Sequence, residues 1–192
     1  MAHSSLHKRF LLLLLLWLCL KAGPAFAAGE GPRIVEPVLT NADGQLLLYF
    51  TLEGGFPAPM EQAILAGLET SFEFDVILNR VRELWPDATV AELTLVHTLT
   101  YDPDKKLFSV TRAEEPGAST VTHSFQEAKK AMSDVDRLAV CPLSELSKGE
   151  LYQVKFKAVM KKVDPPLYLR YALPFLALWD FETDWYTIDF TY

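Results

Sequence analysis

Cysteine is nearly missing from this chain, with two in 192 residues, too few for the disulfide framework of a small secreted scaffold. Positive charge is the scarcer sign, 18 Lys and Arg against 25 Asp and Glu, for a formal net charge of −7. Phosphate backbones are bound by basic footprints, so no nucleic-acid partner is expected. Catalytic signatures are missing too. No Gly-x-Ser-x-Gly elbow, His-Glu-x-x-His zinc helix, Cys-x-x-Cys pair or phosphate-cradling glycine loop occurs, so no cofactor, metal or enzymatic activity is expected. What is abundant is apolar sequence. Half the chain is hydrophobic and 22% is charged, which excludes disorder, and the length suits one domain.

Part of that apolarity reads as an address. Lys8 and Arg9 precede an unbroken apolar run from Phe10 to Leu20, followed by Lys21, Gly23, Pro24 and the small-x-small site Ala25-Phe26-Ala27. These are the three parts of a secretory signal peptide. Eleven apolar residues span about 16 Å as a helix, roughly half the hydrocarbon thickness. Cleavage after Ala27 is expected, with a retained membrane anchor as the alternative. Trp17 and Leu18 before Cys19 do not fit a lipoprotein site. The expected exported domain, residues 28–192, loses three basic residues and keeps all the acidic ones, giving 165 residues with 15 basic and 25 acidic groups and a net charge of −10. It would occupy the periplasm with one thiol, Cys141, inside the apolar run Leu138-Ala139-Val140-Cys141. A buried, inert cysteine is expected there.

The remainder reads as strands with two short helices. Asp43-Gly44 between extended stretches at 33–40 and 45–53 is a hairpin signal. A helix over 60–65 with Pro59 at its first position fits, ended by Gly67. Period-2 alternation marks strands at 70–83, 89–101 and 106–112, with a short one at 120–123. Ser124-Phe125-Gln126-Glu127 forms a capping box for a helix to about Ser133. Strands follow at 137–143, at 152–161 with Tyr152, Val154, Phe156, Ala158 and Met160 inward, and at 186–192. The expected fold is mainly β (α+β), an antiparallel β-sandwich or open barrel of about seven to nine strands. An outer-membrane barrel is disfavoured, because helices interrupt the strand series.

Titratable residues give few leads. His97 lies on the apolar face of its strand, where a hydrogen-bonded core histidine is expected, and His123 adjoins the helix cap. Gly117-Ala118-Ser119 lacks the second glycine of a nucleophile elbow, and Asp134-Val135-Asp136 lacks the glycine and distal glutamate of a calcium loop, so solvation of the helix end is expected there. Lys155, Lys157 and Lys161 form an outward stripe, read as keeping the sheet soluble, with lipid head groups as the alternative. The C-terminal region is the richest in aromatics, nine between Tyr168 and Tyr192. It reads as a core strand with its approach loop, or as an exposed apolar patch facing a membrane or partner. The candidate surface is Leu167, Tyr168, Tyr171, Phe175, Leu176, Trp179 and Trp185.

Several ordered features carry a family resemblance: the step from Ala63 to Gly67 into the Phe72–Phe74 strand, Arg80, Arg82 and Trp85, Leu99-Thr100-Tyr101 with its hairpin to Phe108, Ser124-Phe125-Gln126-Glu127-Ala128, Lys148-Gly149 with Tyr152, Trp179, and the terminal Phe181-Glu182-Thr183-Asp184-Trp185-Tyr186. From about Gln45 to Tyr192 the chain resembles the exported bacterial family known as domain of unknown function 4390. The resemblance implies export and a gene neighbourhood that often includes a membrane sensor kinase. It defines no catalytic residues. The expected role is a non-enzymatic envelope interaction or accessory domain linked to membrane signalling. A carrier or sensor for an apolar, lipid-like ligand held between sheets is the alternative.

Overall fold

Alternating apolar residues on successive strands need a second layer to bury them, and this chain supplies two sheets and two helices. A computed structural model describes residues 31–160 and 180–192. In chain order the elements are β1 (Arg33–Ala42), β2 (Gln45–Glu53), α1 (Ala58–Leu65), β3 (Thr70–Arg80), β4 (Ala88–Asp102), β5 (Leu107–Arg112), β6 (Ser119–Thr122), α2 (Phe125–Ser133), β7 (Asp134–Pro142), a 3-10 turn (Leu143–Glu145), β8 (Leu151–Met160), β9 (Phe181–Glu182) and β10 (Tyr186–Thr191). The small sheet has the order β1-β2-β7. The large one runs β10-β8-β3-β4-β5-β6, with β9 added beside β8. All pairings are antiparallel. The sheets do not close into a barrel, so the sandwich form of the expected fold is the one observed.

Phe50 of β2 fastens the two layers. Its ring lies 5.5 Å from Phe74 on β3 and 4.9 Å from Phe156 on β8. One continuous core includes Leu46, Leu48 and Leu52 from the small sheet, Phe72, Val76 and Val154 from the large one, and Met60 and Met132 from the helices. Tyr152, Val154, Phe156, Ala158 and Met160 all face inward and are buried, as their alternation predicts.

Local chemistry explains the turns. Asp43 (φ 53°) and Gly44 (φ 75°) both occupy the left-handed region, as a two-residue hairpin loop with the strands' right-handed twist requires. Helix α1 starts two residues earlier than expected, with Pro57 as its cap and Pro59 inside its first turn, where no residue has an intrahelical partner for its N–H. Gly67 (φ 89°) ends it. The Leu68 N–H donates to Ala63 O and the Gly67 N–H to Ile64 O, the two bonds of a Schellman close.

Other boundaries shift for identifiable reasons. Strand β3 stops at Arg80 rather than 83: the Val81 N–H makes a last ladder bond to Leu151 O, where β8 begins, and the Arg82 N–H turns to the Asp87 carboxylate within the reversal. Strand β7 begins at Asp134, directly at the end of α2. Asp134 and Asp136 therefore lie on a strand, and the Asp134 carboxylate accepts from Thr51 Oγ1 at 2.9 Å. The capping box is half of what its sequence suggests. The Glu127 N–H donates to Ser124 Oγ at 3.3 Å, but the Ser124 N–H is taken by Thr122 Oγ1, whose hydroxyl in turn donates to the Glu127 carboxylate. Thr122 relays what the glutamate would otherwise do directly.

Candidate functional site

Six of the seven candidate surface residues, Leu167, Tyr168, Tyr171, Phe175, Leu176 and Trp179, lie outside the described residues. Trp185 sits between β9 and β10 and is 43% exposed. Its ring is not a free patch, because the Lys157 ammonium of β8 lies 4.7 Å above its centroid. Lys157 also bonds the Glu182 carboxylate and lies 3.8 Å from Asp75. The hydrogen bond to Glu182, with Asp75 and Glu73 nearby, holds this lysine above its usual range. The expected basic stripe is thus countered at Lys157. Strand β8 is interior to its sheet, so its lysines serve a face and not an edge. This cluster ties the C-terminal return to the outer face of the large sheet.

The buried titratable groups are tied as firmly. His97, from the middle of β4, has no exposure. Its Nδ1 lies 2.9 Å from the carbonyl of Met132, at the C-terminal end of α2. A carbonyl accepts only, so Nδ1 carries a proton. Its Nε2 lies 2.9 and 3.0 Å from the two Glu114 oxygens, so a second proton is held between ring and carboxylate. Glu114 is 8% exposed, although the sequence around it reads as a solvated loop. Burial works to raise its carboxyl, but the His97 hydrogen bond and Arg112 outweigh it and hold the group below its usual range. One imidazole thus joins β4, α2 and the β5–β6 turn.

His123 is exposed, with Nδ1 2.8 Å from Lys106 O. Cys141 is 4% exposed, and burial, with Glu145 nearby, pushes its thiol up to about 11. Among the described residues, no three His, Cys, Asp or Glu side chains come together as a metal site. Two open grooves of about 500 and 560 Å³ flank α2. Lys130 and Asp134 line both; Phe50, Val135 and Arg112 line one, and Gly54, Gly55 and Phe56 the other. They lie beside the sandwich, and the space between its sheets is filled by Phe50, Phe74 and Phe156.

The whole-molecule geometry is the feature missed by residue-level reading. Arg33, at the start of β1, pairs with Glu53 at the end of β2. The turn that follows brings Phe56 onto Phe72, 5.0 Å between centroids, and Phe72 onto Phe181, at 5.6 Å. Phe181 pairs with Met160. Gly55 permits this junction, since a Cβ there would meet Leu52 at 3.0 Å and Phe72 at 3.1 Å. The described residues flanking 1–30 and 161–179 therefore converge on one pole. Leu84 and Trp85, 90% and 74% exposed, occupy the opposite pole, eleven residues of β3 away, roughly 35 Å.

A family profile for a domain of unknown function, DUF4390, matches residues 30–189. The chain belongs to the DUF4390 family. No curated protein and no solved structure is matched. Among the described residues, no helix is long and apolar enough to cross a membrane.

Proposed function

We propose that this DUF4390 protein is an exported, non-enzymatic interaction domain that meets a membrane protein at the pole marked by Arg33, Phe56 and Phe181, where the two rings cover the buried Phe72 and Met160. A sensor kinase is the partner the family resemblance implies. The carrying observation is the convergence just described: the described residues on either side of 161–179, which holds the most apolar stretch of the exported domain, meet the sandwich at that pole beside the start of β1. An apolar stretch tethered at one end of an acidic domain favours contact with an apolar or interfacial surface. The engagement of His97, Cys141 and His123 in the fold supports a binding role over acid–base or nucleophilic chemistry, which needs a poised group in reach of substrate. The filled interior gives the carrier reading less support.

Cell fractionation tests this proposal. The full chain is expected with the membrane fraction, and Leu176→Asp with Trp179→Asp is expected to move it into osmotic-shock fluid with an unchanged thermal melt. A wild-type chain wholly in the shock fluid, or a variant that stays with the membrane, overturns it.

A further inference from the structure

Among the described residues the sheets end in β1, β7, β6 and β10, with the two-residue β9 on the same edge as β10, and these edges are not equally guarded. Unpaired strand edges invite other strands, and folds blunt them with brevity, proline, bulges or charge. Strand β6 has four residues. Strand β1 carries Pro37, a bulge between Val35 and Val38, and Glu36 at φ 51°. Strand β7 has two register shifts against β2, Arg137 at φ 52° and Pro142 at its end. Strand β10, the other edge of the large sheet among the described residues, has none of these. Its six residues pair with β8 without interruption, contain no proline and hold one charge, Asp189.

The hydrogen-bonding phase of that edge can be worked out. The Tyr192 N–H donates to Glu150 O, and Tyr192 O accepts from Gly149 N–H, so both groups of Tyr192 face β8. Alternation gives Phe190, Ile188 and Tyr186 the same direction and turns the N–H and C=O groups of Thr187, Asp189 and Thr191 outward. The side chains of Tyr186, Ile188 and Phe190 share a face with Phe156, Val154 and Tyr152. They are incompletely covered: Tyr186 is 40% exposed, and a groove of about 320 Å³ lined by Leu39, Leu46, Phe190 and Tyr192 separates β10 from β1.

We propose that β10 pairs with β10 of a second copy of this chain, antiparallel about Ile188. That register sets Tyr186 opposite Phe190, Ile188 opposite its own counterpart, and Thr187 opposite Asp189. Thr187 and Asp189 then exchange backbone hydrogen bonds in both directions, with the Thr187 hydroxyl beside the Asp189 carboxylate. Centring the pair on Asp189 would oppose two carboxylates, which is unfavourable. Centring it on Thr187 would pull Asp189 against Trp185, outside the strand. Centring it on Phe190 would face Asp189 with Thr191 but pair only 189–191 of the strand, against 186–190 for the Ile188 register, so the sequence aromatic-Thr-Ile-Asp-aromatic favours a second copy in the longest of these registers. The two-fold axis crosses the strands, so the poles of the two copies point in opposite directions, and one membrane surface can engage one copy of the pair. Pairing and pole contact are therefore separable, and either can fail alone.

The register makes one position respond with opposite signs to opposite charges. By sedimentation of the purified full chain, Thr187→Lys, which faces Asp189 twice per dimer, is expected to tighten association by about tenfold, and Thr187→Asp to weaken it by a similar factor. Residue 187 also faces Lys155 on β8 of its own chain, so Thr187→Lys is expected to lower the thermal melt slightly and Thr187→Asp to raise it, opposite in sign to their effects on association. In the second measurement, Ile188→Cys in a Cys141→Ala background is oxidised in cells. Opposed residues of a non-hydrogen-bonded pair lie about 4.5 Å apart at Cα, within disulfide reach. A covalent homodimer is expected from Cys at 188 and none from Thr187→Cys. A chain monomeric at every concentration overturns the proposal. So does a dimer indifferent to both charges, or a 188 adduct with a different protein.

Discussion

His97 shows how far a single residue's role is legible from sequence. Its place on an apolar strand face predicts a hydrogen-bonded core histidine, and that is its setting. Its carboxylate partner was not legible, because Glu114 lies 17 residues away in a stretch that reads as loop. Burial of the pair has two consequences. His97→Phe strands a buried carboxylate and the Met132 carbonyl, and is expected to cost about 3–5 kcal/mol in denaturant melts. Adding Glu114→Leu should recover part of that, as a double-mutant cycle will show. Glu114 titrates below its usual range in the fold, so its contribution is complete above the ordinary carboxylate value of about 4.3. It is lost as pH falls through the lower folded value. Glu114→Gln should flatten the acid limb of the stability curve below about pH 4. Cys141, with its thiol pushed up to about 11, exposes about a thousandth of its population as thiolate at pH 8. A thiol reagent should label it only on unfolding.

At the scale of elements, alternation placed nearly every strand, because an inward face on each sheet leaves one register that buries it. Boundaries slipped where a distant group intervened. Strand β3 is cut short where β8 begins and Asp87 takes the Arg82 N–H, β7 is lengthened by Thr51, and the α2 cap is shared with Thr122. Thr51 lies 83 residues from its partner Asp134, whereas Thr122 is local but falls outside the Ser-x-x-Glu spacing that defines a capping box. The cap yields a prediction. Ser124→Ala removes the acceptor for the Glu127 N–H and should lower stability by about 1 kcal/mol. Thr122→Val should cost a similar amount, because it frees the Ser124 N–H and the Glu127 carboxylate together. Chemical denaturation of the two variants measures both.

At the scale of the whole molecule, composition identified an acidic domain and alternation a β-rich one, and the two sheets meet through Phe50 as an antiparallel sandwich. Of the candidate surface, only Trp185 falls among the described residues, and Lys157 beneath it shows the ring helping to fasten the C-terminal return. The polarity of the molecule was invisible in sequence, because it depends on Phe56, Phe72 and Phe181 meeting across 125 residues. That polarity is the central claim, and photo-crosslinking in cells tests it most directly. Probes placed singly at Phe56, Asp180, Leu84 and Trp85 compare the two poles in otherwise intact chains. A common membrane-protein adduct from Phe56 and Asp180, with little from Leu84 and Trp85, is the predicted result. The same adduct arising chiefly from Leu84 and Trp85 would contradict the account.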